Sequence, residues 1–438
     1  MVLSTAVRKQ KLSEIRSSSE SQGREKLYYM NERQSFEVHR IDLDYLIYNR
    51  HNGRIEAEML TWEQENTASH EVYDEELHKK IENFLWESNK GRNKATLKDI
   101  TTKGQLKTGI VSLDGVIIDG NRRAMLLRRL EEKGKPKEKQ YFDAIILPHS
   151  FADNQAEIVR LETQYQIGED SKVEYGPLQK YLHARRLRYD LGIEPDEIDA
   201  LMGANPGNAQ MLLRIMELMD EYLEHIQCPR LYLLLKDADG TKEGMFVDLY
   251  RDLKRLESGN AKIPWNYDSE LDVLQLKLIH FDFIRFGQYT SNKAYREISF
   301  NSAGKKTFFA NKEIWEKFSA SHGTNVDPIT QKMGDLRSFI EAGSGSYETK
   351  LDAARARDKQ WCDKVDSHLK SSFGQASWKL GLLNEGSKPG ELLRKARDLM
   401  EKIDLDSDGL LSPENEDLTM EINRMSYAIK QRFKKSKS

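Results

Sequence analysis

The sequence predicts an α+β protein, in which a small mixed α/β N-terminal domain is followed by predominantly α-helical domains. Up to residue 148, apolar runs with the alternation typical of β-strands stand between stretches with helical spacing. From residue 153 onward the spacing is helical, and glycine and proline interrupt it at intervals. The change of pattern marks the border between the two kinds of domain.

The composition limits the class of protein. The chain has 438 residues, too many for one ordinary core, so we expect two or three domains. The net charge of -3 means that a nucleic-acid contact would need a local basic face. The two cysteines, Cys228 and Cys362, follow no metal-ligand spacing and exclude a disulfide framework. The sequence has no apolar run of membrane length and no signal-peptide core, so we expect a cytoplasmic protein.

The N-terminal domain is expected at residues 35–150, after a polar, serine-rich mobile arm or short helix at residues 1–34. Alternating apolar residues indicate strands, and apolar residues three or four apart indicate helices. The predicted elements are a strand from residue 35, a helix at 74–88, a strand run at 109–118 with a turn at 114–115, a helix at 121–133 and a strand at 141–147.

Three helical segments follow this domain. We predict a helical domain with a helix-turn-helix-like element at 151–230, a second helical domain at 231–341, and a C-terminal helical interaction module at 348–438. The glycine- and serine-rich stretch 342–346 is the expected linker before the last module. Within that module, helical spacing occupies 348–371, 389–403 and 416–434.

A candidate phosphate-binding turn lies where a buried strand meets a helix. Its residues are Asp119, Gly120, Asn121, Arg122 and Arg123. The glycine lets the backbone approach a ligand, the helix start offers free N–H groups, and the two arginines add donors that suit phosphate oxygens. The alternative is a simple capped connection with two solvated arginines, although arginine in a first turn opposes the helix dipole.

The turn resembles the GxRR box of the ParB/sulfiredoxin superfamily, and two further segments are similar to the family's other boxes in the same order. The segment 49–54 is similar to Asn-Pro-x-Gln-Pro-Arg, with both prolines missing and Asn52 in place of glutamine. The segment 161–166 is similar to Glu-Asn-x-Gln-Arg, and it keeps Glu162 and a displaced glutamine but not the arginine. The resemblance covers about residues 36–227 and implies a ParB-like nucleotide-binding domain.

The resemblance also implies roles for particular residues. It assigns Asn49 and Arg54 to the nucleotide, with Arg54 on the base or a phosphate. It assigns the turn residues to the triphosphate, and Glu162 to Mg²⁺. Members use CTP or ATP, so the base stays open. The cysteine of sulfiredoxin is absent from this turn, which disfavours sulfiredoxin chemistry. Alternatively, Glu162 pairs with a nearby arginine.

A helix-turn-helix candidate occupies residues 196–217, with its turn at Gly203 and a second helix that Asn205 is expected to cap. It resembles the corresponding element of ParB proteins, except that Asp199 replaces a small apolar residue. The expected DNA contacts are Arg185, Arg186, Arg188, Asn205, Asn208, Gln210 and Arg214. The alternative is a plain helical hairpin with a solvated basic face.

Residues 404–412 copy the first nine positions of an EF-hand loop, but Asn415 stands where the bidentate glutamate should be. We therefore expect an acidic connector whose aspartates cap the helix that begins near Pro413, rather than a calcium site. The basic tail at 430–437 is expected to touch nucleic acid or to aid solubility.

These observations leave three hypotheses. The first is a nucleotide-dependent DNA-binding protein of ParB type, in which nucleotide binding controls DNA engagement or assembly. The second is an enzyme of the same fold that hydrolyses ATP or transfers its phosphate in a mobile-element or anti-phage defence system. The third is a partner-binding subunit whose nucleotide site is structural. As partners we expect further copies of the chain, in a homo-oligomer, or the other subunits of a larger complex.

Overall fold

The computed structural model describes residues 2–18, 20–66, 73–133, 138–165, 176–236, 241–259, 263–287, 293–299, 306–343, 347–385 and 389–435. Within these residues, six strands form one mixed sheet in the order β1-β2-β6-β4-β5-β3. The strands are β1 (Gly23–Tyr29), β2 (Glu32–Asp42), β3 (Ile47–Tyr48), β4 (Gly109–Val111), β5 (Val116–Asp119) and β6 (Tyr141–Ile146). The sheet lies in the first third of an otherwise helical chain, which confirms the α+β class.

Helices account for most of the remaining described residues. Those before and around the sheet are α1 (Thr5–Ser17), α2 (Glu56–Glu65), α3 (Glu75–Glu87), α4 (Lys90–Lys103), α5 (Asn121–Lys133) and α6 (Gln155–Thr163). Those of the middle region are α7 (Pro177–Arg185), α8 (Pro195–Leu201), α9 (Asn208–His225), α10 (Thr241–Glu257), α11 (Leu271–Phe286), α12 (Arg296–Ser299), α13 (Lys312–Asn325), α14 (Asp327–Met333) and α15 (Leu336–Ala342). The last three are α16 (Lys350–Glu385), α17 (Pro389–Met400) and α18 (Pro413–Lys435). None of the described helices is long and apolar enough to cross a membrane.

Helices cover both faces of the sheet. Neighbouring residues of a strand point to opposite sides, so one strand can contribute to two core clusters. Ile117 belongs to a core cluster with residues of α1, α3 and α5, whereas the adjacent Ile118 belongs to a second cluster with residues of α6. In the same way, Ile145 and Ile146 of β6 lie in different clusters. A strand that is apolar on both faces reads as a continuous apolar run, as the sequence pattern at 109–118 does.

Of the two alternatives expected for the N-terminal residues, a mobile arm or a short helix, the structure has the helix, α1, and adds the unexpected strand β1. Leu12 of α1 is fully buried in the core, and the buried Arg8 donates from Nε to the carbonyl oxygen of Asp114 at 3.0 Å. The strand β1 pairs antiparallel with β2 along its whole length. A few buried side chains in a polar stretch are therefore enough to attach it to the sheet domain, whose strands begin before the expected residue 35.

The C-terminal end of α2 contacts residues from far along the chain. The hydroxyl of Thr61 accepts a hydrogen bond from the backbone N–H of Leu233 at 3.2 Å. The carbonyl of Gln64 accepts one from Lys350 Nζ at 2.9 Å, and the carboxylate of Glu65 accepts one from the N–H of Leu351 at 2.9 Å. The sheet domain is therefore joined to the middle region and to the start of α16.

The chain divides into two compact units, Met1–Phe373 and Gly374–Ser438. The border falls within α16 rather than at the expected linker 342–346, of which residues 344–346 lie outside the described residues. The helix α16 is also longer than the predicted pattern at 348–371, whereas α17 and α18 begin close to the predicted positions. The helical character of this module is confirmed.

Candidate functional site

The sheet topology brings two loops to one edge. The strands β3 and β5 are neighbours and run parallel, with Ile47 paired to Val116 and Tyr48 to Ile117. Parallel neighbours end at the same edge of a sheet, so the residues that follow them lie side by side. Asn49 follows β3 and Gly120 follows β5. Two of the segments that resemble ParB boxes therefore meet at this edge.

The turn after β5 requires glycine. Gly120 has a φ of +100°, a conformation that residues with a side chain rarely adopt. A Cβ at this position would lie 2.6 Å from the ring of Phe142 and 2.9 Å from a guanidinium nitrogen of Arg123. The carbonyl of Gly120 accepts the N–H of Ala124 at 2.9 Å, which begins α5. The backbone thus passes directly from the sheet edge into a helix N-terminus.

A buried hydrogen-bond network joins Asn49, Asn121 and Glu162. The backbone N–H of Asn49 donates to Asn121 Oδ1 at 3.0 Å, and Asn121 Nδ2 donates to the carbonyl of Ile117 at 2.9 Å. The amide nitrogen of the Asn49 side chain lies 3.1 Å from each carboxylate oxygen of Glu162. All three sequence-predicted site residues are almost fully buried. They hold the loop after β3, the turn after β5 and α6 together.

The two arginines of the turn have different environments. Arg123 donates from Nη2 to Asp119 Oδ2 at 2.9 Å and to the carbonyl of Thr108 at 3.2 Å, so it braces the turn. Arg122 is half-buried and has no hydrogen-bonding or ion-pairing partner within the described residues. Burial first, and then the charges of Arg54 and Arg92, lower the pKa of Arg122 to about 10.

Arg54, Arg92 and Arg122 form what we call the arginine cluster. Arg92 lies in the first turn of α4, where Asn89 Oδ1 accepts its backbone N–H at 3.0 Å. Sequence reasoning missed Arg92, because it lies outside all three boxes, in a helix with no distinctive pattern. The positive charges of Arg54 and Arg92 act on Arg122, and a bound anion would offset this repulsion.

The loop that carries Arg54 is shaped by two asparagines and held from the helical region. Asn49 Oδ1 accepts the N–H of His51 at 3.0 Å, and Asn52 Oδ1 accepts the N–H of Arg54 at 3.1 Å. Such side-chain turns fix a loop without proline. Gln179 of α7 donates to the carbonyl of Arg54 at 3.1 Å. Local hydrogen bonds and one contact from α7 therefore hold this loop, which has no proline.

Charged groups are buried beneath this loop. Arg186, expected to contact DNA, is almost fully buried and donates from Nη1 to the carbonyl of His51 at 3.0 Å. Burial raises the pKa of Glu56 to about 7, against the charge of Arg186. Burial also lowers the pKa of His51 to about 3, together with the charges of Arg186 and Arg50. In this arrangement Arg186 supports the loop.

Glu162 fits only part of what a magnesium ligand needs. A single carboxylate is sufficient when phosphate oxygens and water complete the octahedron. Here both carboxylate oxygens accept from the Asn49 amide, and the side chain is buried. The observed role of Glu162 is to orient Asn49. Its role toward Mg²⁺ stays a prediction.

The remaining expected DNA contacts lie on and before α9. Arg185 is 3.5 Å from Asp220 Oδ2. Arg188 is 2.6 Å from Glu194 Oε1, and Arg214 is 2.9 Å from Glu217 Oε2. These arginines therefore have internal partners. Asn205 is exposed in the turn before α9, and the half-exposed Asn208 and the exposed Gln210 lie in the first turn of α9.

Asp199, the departure from the helix-turn-helix pattern, caps the second helix. Its two carboxylate oxygens accept the N–H groups of Gly207 and Ala209, each at 2.7 Å. The expectation that Asn205 caps this helix is wrong, because Gly207 stands at the cap position and α9 begins at Asn208. A buried carboxylate at a helix N-terminus satisfies free N–H groups and the helix dipole together.

In the EF-hand-like loop, Asn415 hydrogen-bonds to other residues of the loop. The side-chain amide of Asn415 donates to the carbonyl of Gly409 at 2.8 Å. The N–H of Asn415 lies 3.2 Å from the hydroxyl of Ser412, directly before α18. A serine rather than an aspartate therefore caps this helix, which corrects the sequence expectation.

Comparisons with protein-family models, with curated proteins and with solved structures gave no match to this chain. The resemblance to the ParB/sulfiredoxin superfamily therefore depends on the residues of the three boxes. Two of these boxes meet at the sheet edge, and the third supplies Glu162 to the same network.

Proposed function

We propose that the arginine cluster binds the triphosphate of a magnesium-bound nucleotide, CTP or ATP, and that this binding controls DNA engagement or assembly. The observation that supports it most is Arg122, a half-buried guanidinium that lacks an acidic partner among the described residues. Burying a charge without a partner costs free energy, so such a group is typical of a ligand site.

The backbone geometry supports an anion at the same place. The first turn of α5 presents N–H groups and the positive end of the helix dipole beside Gly120. Arg54 and Arg92 add charge from two other segments. Each charge-assisted hydrogen bond to a phosphate contributes about 1.5–3 kcal/mol. Loss of one arginine should therefore reduce affinity about tenfold or more.

The nucleotide site is connected to the helical region through the loop after β3. Gln179 of α7 holds the carbonyl of Arg54, and Arg186, directly after α7, holds the carbonyl of His51. A ligand that pulls Arg54 toward its phosphates would therefore act on α7, which packs against α9. This connection is the route by which nucleotide would control the helix pair α8–α9.

Calorimetric titration with CTP, ATP, GTP and UTP, with and without Mg²⁺, tests the site. We expect one nucleotide to bind, and Arg122→Ala to lower its affinity about tenfold or more. The matched control is Arg337→Ala, because Arg337 is exposed and pairs with Glu341. Unchanged affinity in a folded Arg122→Ala protein would contradict the proposal. Release of phosphate in the same samples would indicate the enzymatic alternative.

DNA engagement is tested separately by binding of duplex DNA over a range of salt concentrations. Contacts to phosphates give an affinity that falls as salt rises. We expect nucleotide to change this affinity, and Gln210→Glu at the exposed start of α9 to weaken it. Absence of DNA binding at low salt, with and without nucleotide, would leave assembly as the function that nucleotide controls.

The second compact unit, Gly374–Ser438, supports the part of the proposal that concerns self-assembly. One side of α18 carries apolar residues three or four apart, all exposed: Leu418, Ile422, Met425, Ile429 and Phe433. This spacing is typical of a helix that packs against another helix. Light scattering of the full chain should show an oligomer that Leu418→Glu with Met425→Glu dissociates. A monomer in the unchanged protein would exclude self-assembly through α18.

A further inference from the structure

A cluster of two histidines and two aspartates lies in the middle helical region, apart from the arginine cluster. Asp282 lies in the C-terminal half of α11, and His322 lies in the last turn of α13. Asp327 begins α14, and His225 ends α9. Asp282 and His322 are 2% and 3% exposed, whereas Asp327 is exposed. Four helices therefore bring metal-binding side chains to one place.

The distances within the cluster suit a metal ion. One ligand atom from each of Asp282, His322 and Asp327 lies within 4.8 Å of the others. His322 Nε2 is 3.3 Å from Asp282 Oδ2. Two atoms that each lie about 2.1 Å from a tetrahedral zinc ion are about 3.4 Å apart. The observed separation is therefore close to that of two ligands of one ion.

His322 Nε2 is buried and lies 3.3 Å from Asp282 Oδ2, as an ion pair rather than a well-aligned hydrogen bond. The other oxygen of Asp282 is held by His225 Nε2 at 3.0 Å, which orients the carboxylate. A carboxylate that one histidine orients and that lies beside a second, buried imidazole nitrogen is an arrangement that metal sites use.

The cluster opens into a cavity of about 230 Å³. His225, Asp282, His322 and Asp327 line it together with Gln275 and Thr330. Three protein ligands leave a coordination position for water, and this cavity gives water access to that position. The ion would thus be reached from solvent without any movement of the helices.

We propose that Asp282, His322 and Asp327 bind a divalent transition-metal ion, with zinc the best match, and that His225 positions Asp282. Imidazole nitrogen with carboxylate oxygen is a donor set that zinc accepts, whereas magnesium prefers oxygen alone. The site is separate from the proposed nucleotide site and shares no residue with it. The rival arrangement is a protonated His322 held between two carboxylates, in which no metal binds.

The test uses the full chain, freed of metal by a chelator and titrated with Zn²⁺ in the absence of nucleotide. Parallel titrations use Mn²⁺ and Mg²⁺, and elemental analysis after dialysis gives the metal content. We expect one zinc ion per chain and little binding of Mg²⁺. Asp327→Asn should weaken zinc binding about tenfold or more, and His322→Gln should abolish it.

Two variants guard against a misleading result. His368→Gln changes an exposed histidine of α16 and should leave zinc binding unchanged. Asp327 is exposed, so Asp327→Asn decides the outcome if loss of the buried His322 prevents folding. The proposal is overturned if the unchanged protein takes up no zinc, or if zinc uptake is the same in Asp327→Asn. Either result would leave His322 as a structural residue between the two carboxylates.

Discussion

Arg122 and Arg123 are adjacent in the sequence, but only Arg122 is available to a ligand. The sequence identified the turn as a strand, a glycine and a helix start, because each of these depends on local residues. It could not separate the two arginines. Arg123 has two partners. Asp119 is four residues away in the same turn, whereas the position of the Thr108 carbonyl depends on the pairing of β4 with β5. A contact that depends on the register of a sheet cannot be predicted from the local sequence pattern.

The two arginines should therefore respond differently to substitution. We expect Arg122→Ala to keep its free energy of unfolding and to lose nucleotide affinity. Arg123→Ala should lose about 1–3 kcal/mol of stability, because Asp119 and the carbonyl of Thr108 lose their donor. Urea unfolding of both variants, beside the nucleotide titration, measures the difference. Equal destabilisation by the two substitutions would disprove the assignment.

Glu56 should make the stability depend on pH. Burial raises its pKa from the ordinary 4.5 to about 7, so the folded protein binds this proton more tightly than the unfolded chain. The resulting stabilisation is complete below about pH 4.5 and is lost as the pH rises to about 7. Glu56→Gln cannot ionise and should gain up to about 3 kcal/mol relative to the unchanged protein between pH 5 and pH 8.

Urea unfolding between pH 5 and pH 8 measures the free energy that Glu56→Gln gains. The control is Glu76→Gln, at an exposed position of α3. If the difference between Glu56→Gln and the unchanged protein stays constant with pH, Glu56 is ionised throughout this range.

At the scale of elements, Asp199 shows how a departure from a pattern can be structural. The helix-turn-helix pattern expects a small apolar residue at position 199, so the aspartate is a departure from that pattern. In the structure its carboxylate joins α8 to the start of α9 through two backbone N–H groups. The helix pair itself was predicted from spacing, and its cap was not. A cap supplied by the preceding helix depends on the angle between the two helices.

Removing this cap should weaken the helix pair. We expect Asp199→Ala to lower the free energy of unfolding by about 2–4 kcal/mol, since two charge-assisted hydrogen bonds are lost from a buried position. Asp196→Ala, in the first turn of the same helix, should cost less than about 1 kcal/mol. Chemical unfolding measures both. A small effect of Asp199→Ala would mean that water replaces the carboxylate.

At the scale of the whole molecule, local patterns predicted the elements better than their assembly. The helix at 121–133 and the strand at 141–147 are confirmed as α5 and β6. The strand β1 was missed, because its buried residues are few among many polar ones, whereas α1 agrees with the short helix that was one expectation for residues 1–34. Arg92 and the histidines and aspartate around Asp282 were missed for another reason. These groups come from separate helices and share no spacing, so only the packing of the chain brings them together.

The N-terminal helix should contribute to global stability. Leu12 is completely buried in the main core of the sheet domain, so Leu12→Ala should cost about 2–5 kcal/mol. Val7→Ala on the more exposed side of the same helix should cost much less. Thermal or urea unfolding measures both. A negligible effect of Leu12→Ala would restore the mobile arm that the sequence predicted.

The contacts at the end of α2 have a consequence for synthesis on the ribosome. The last strand of the sheet is complete at Ile146, but the partners of Gln64 and Glu65 are Lys350 and Leu351. At about 5–20 residues per second, roughly 10–40 s pass between these two points. During that interval the sheet domain can fold while one end of α2 still lacks its neighbours. We expect the nascent chain to need protection at this point, and a ribosome-bound chain arrested before residue 350 to be cleaved near residue 65 by protease.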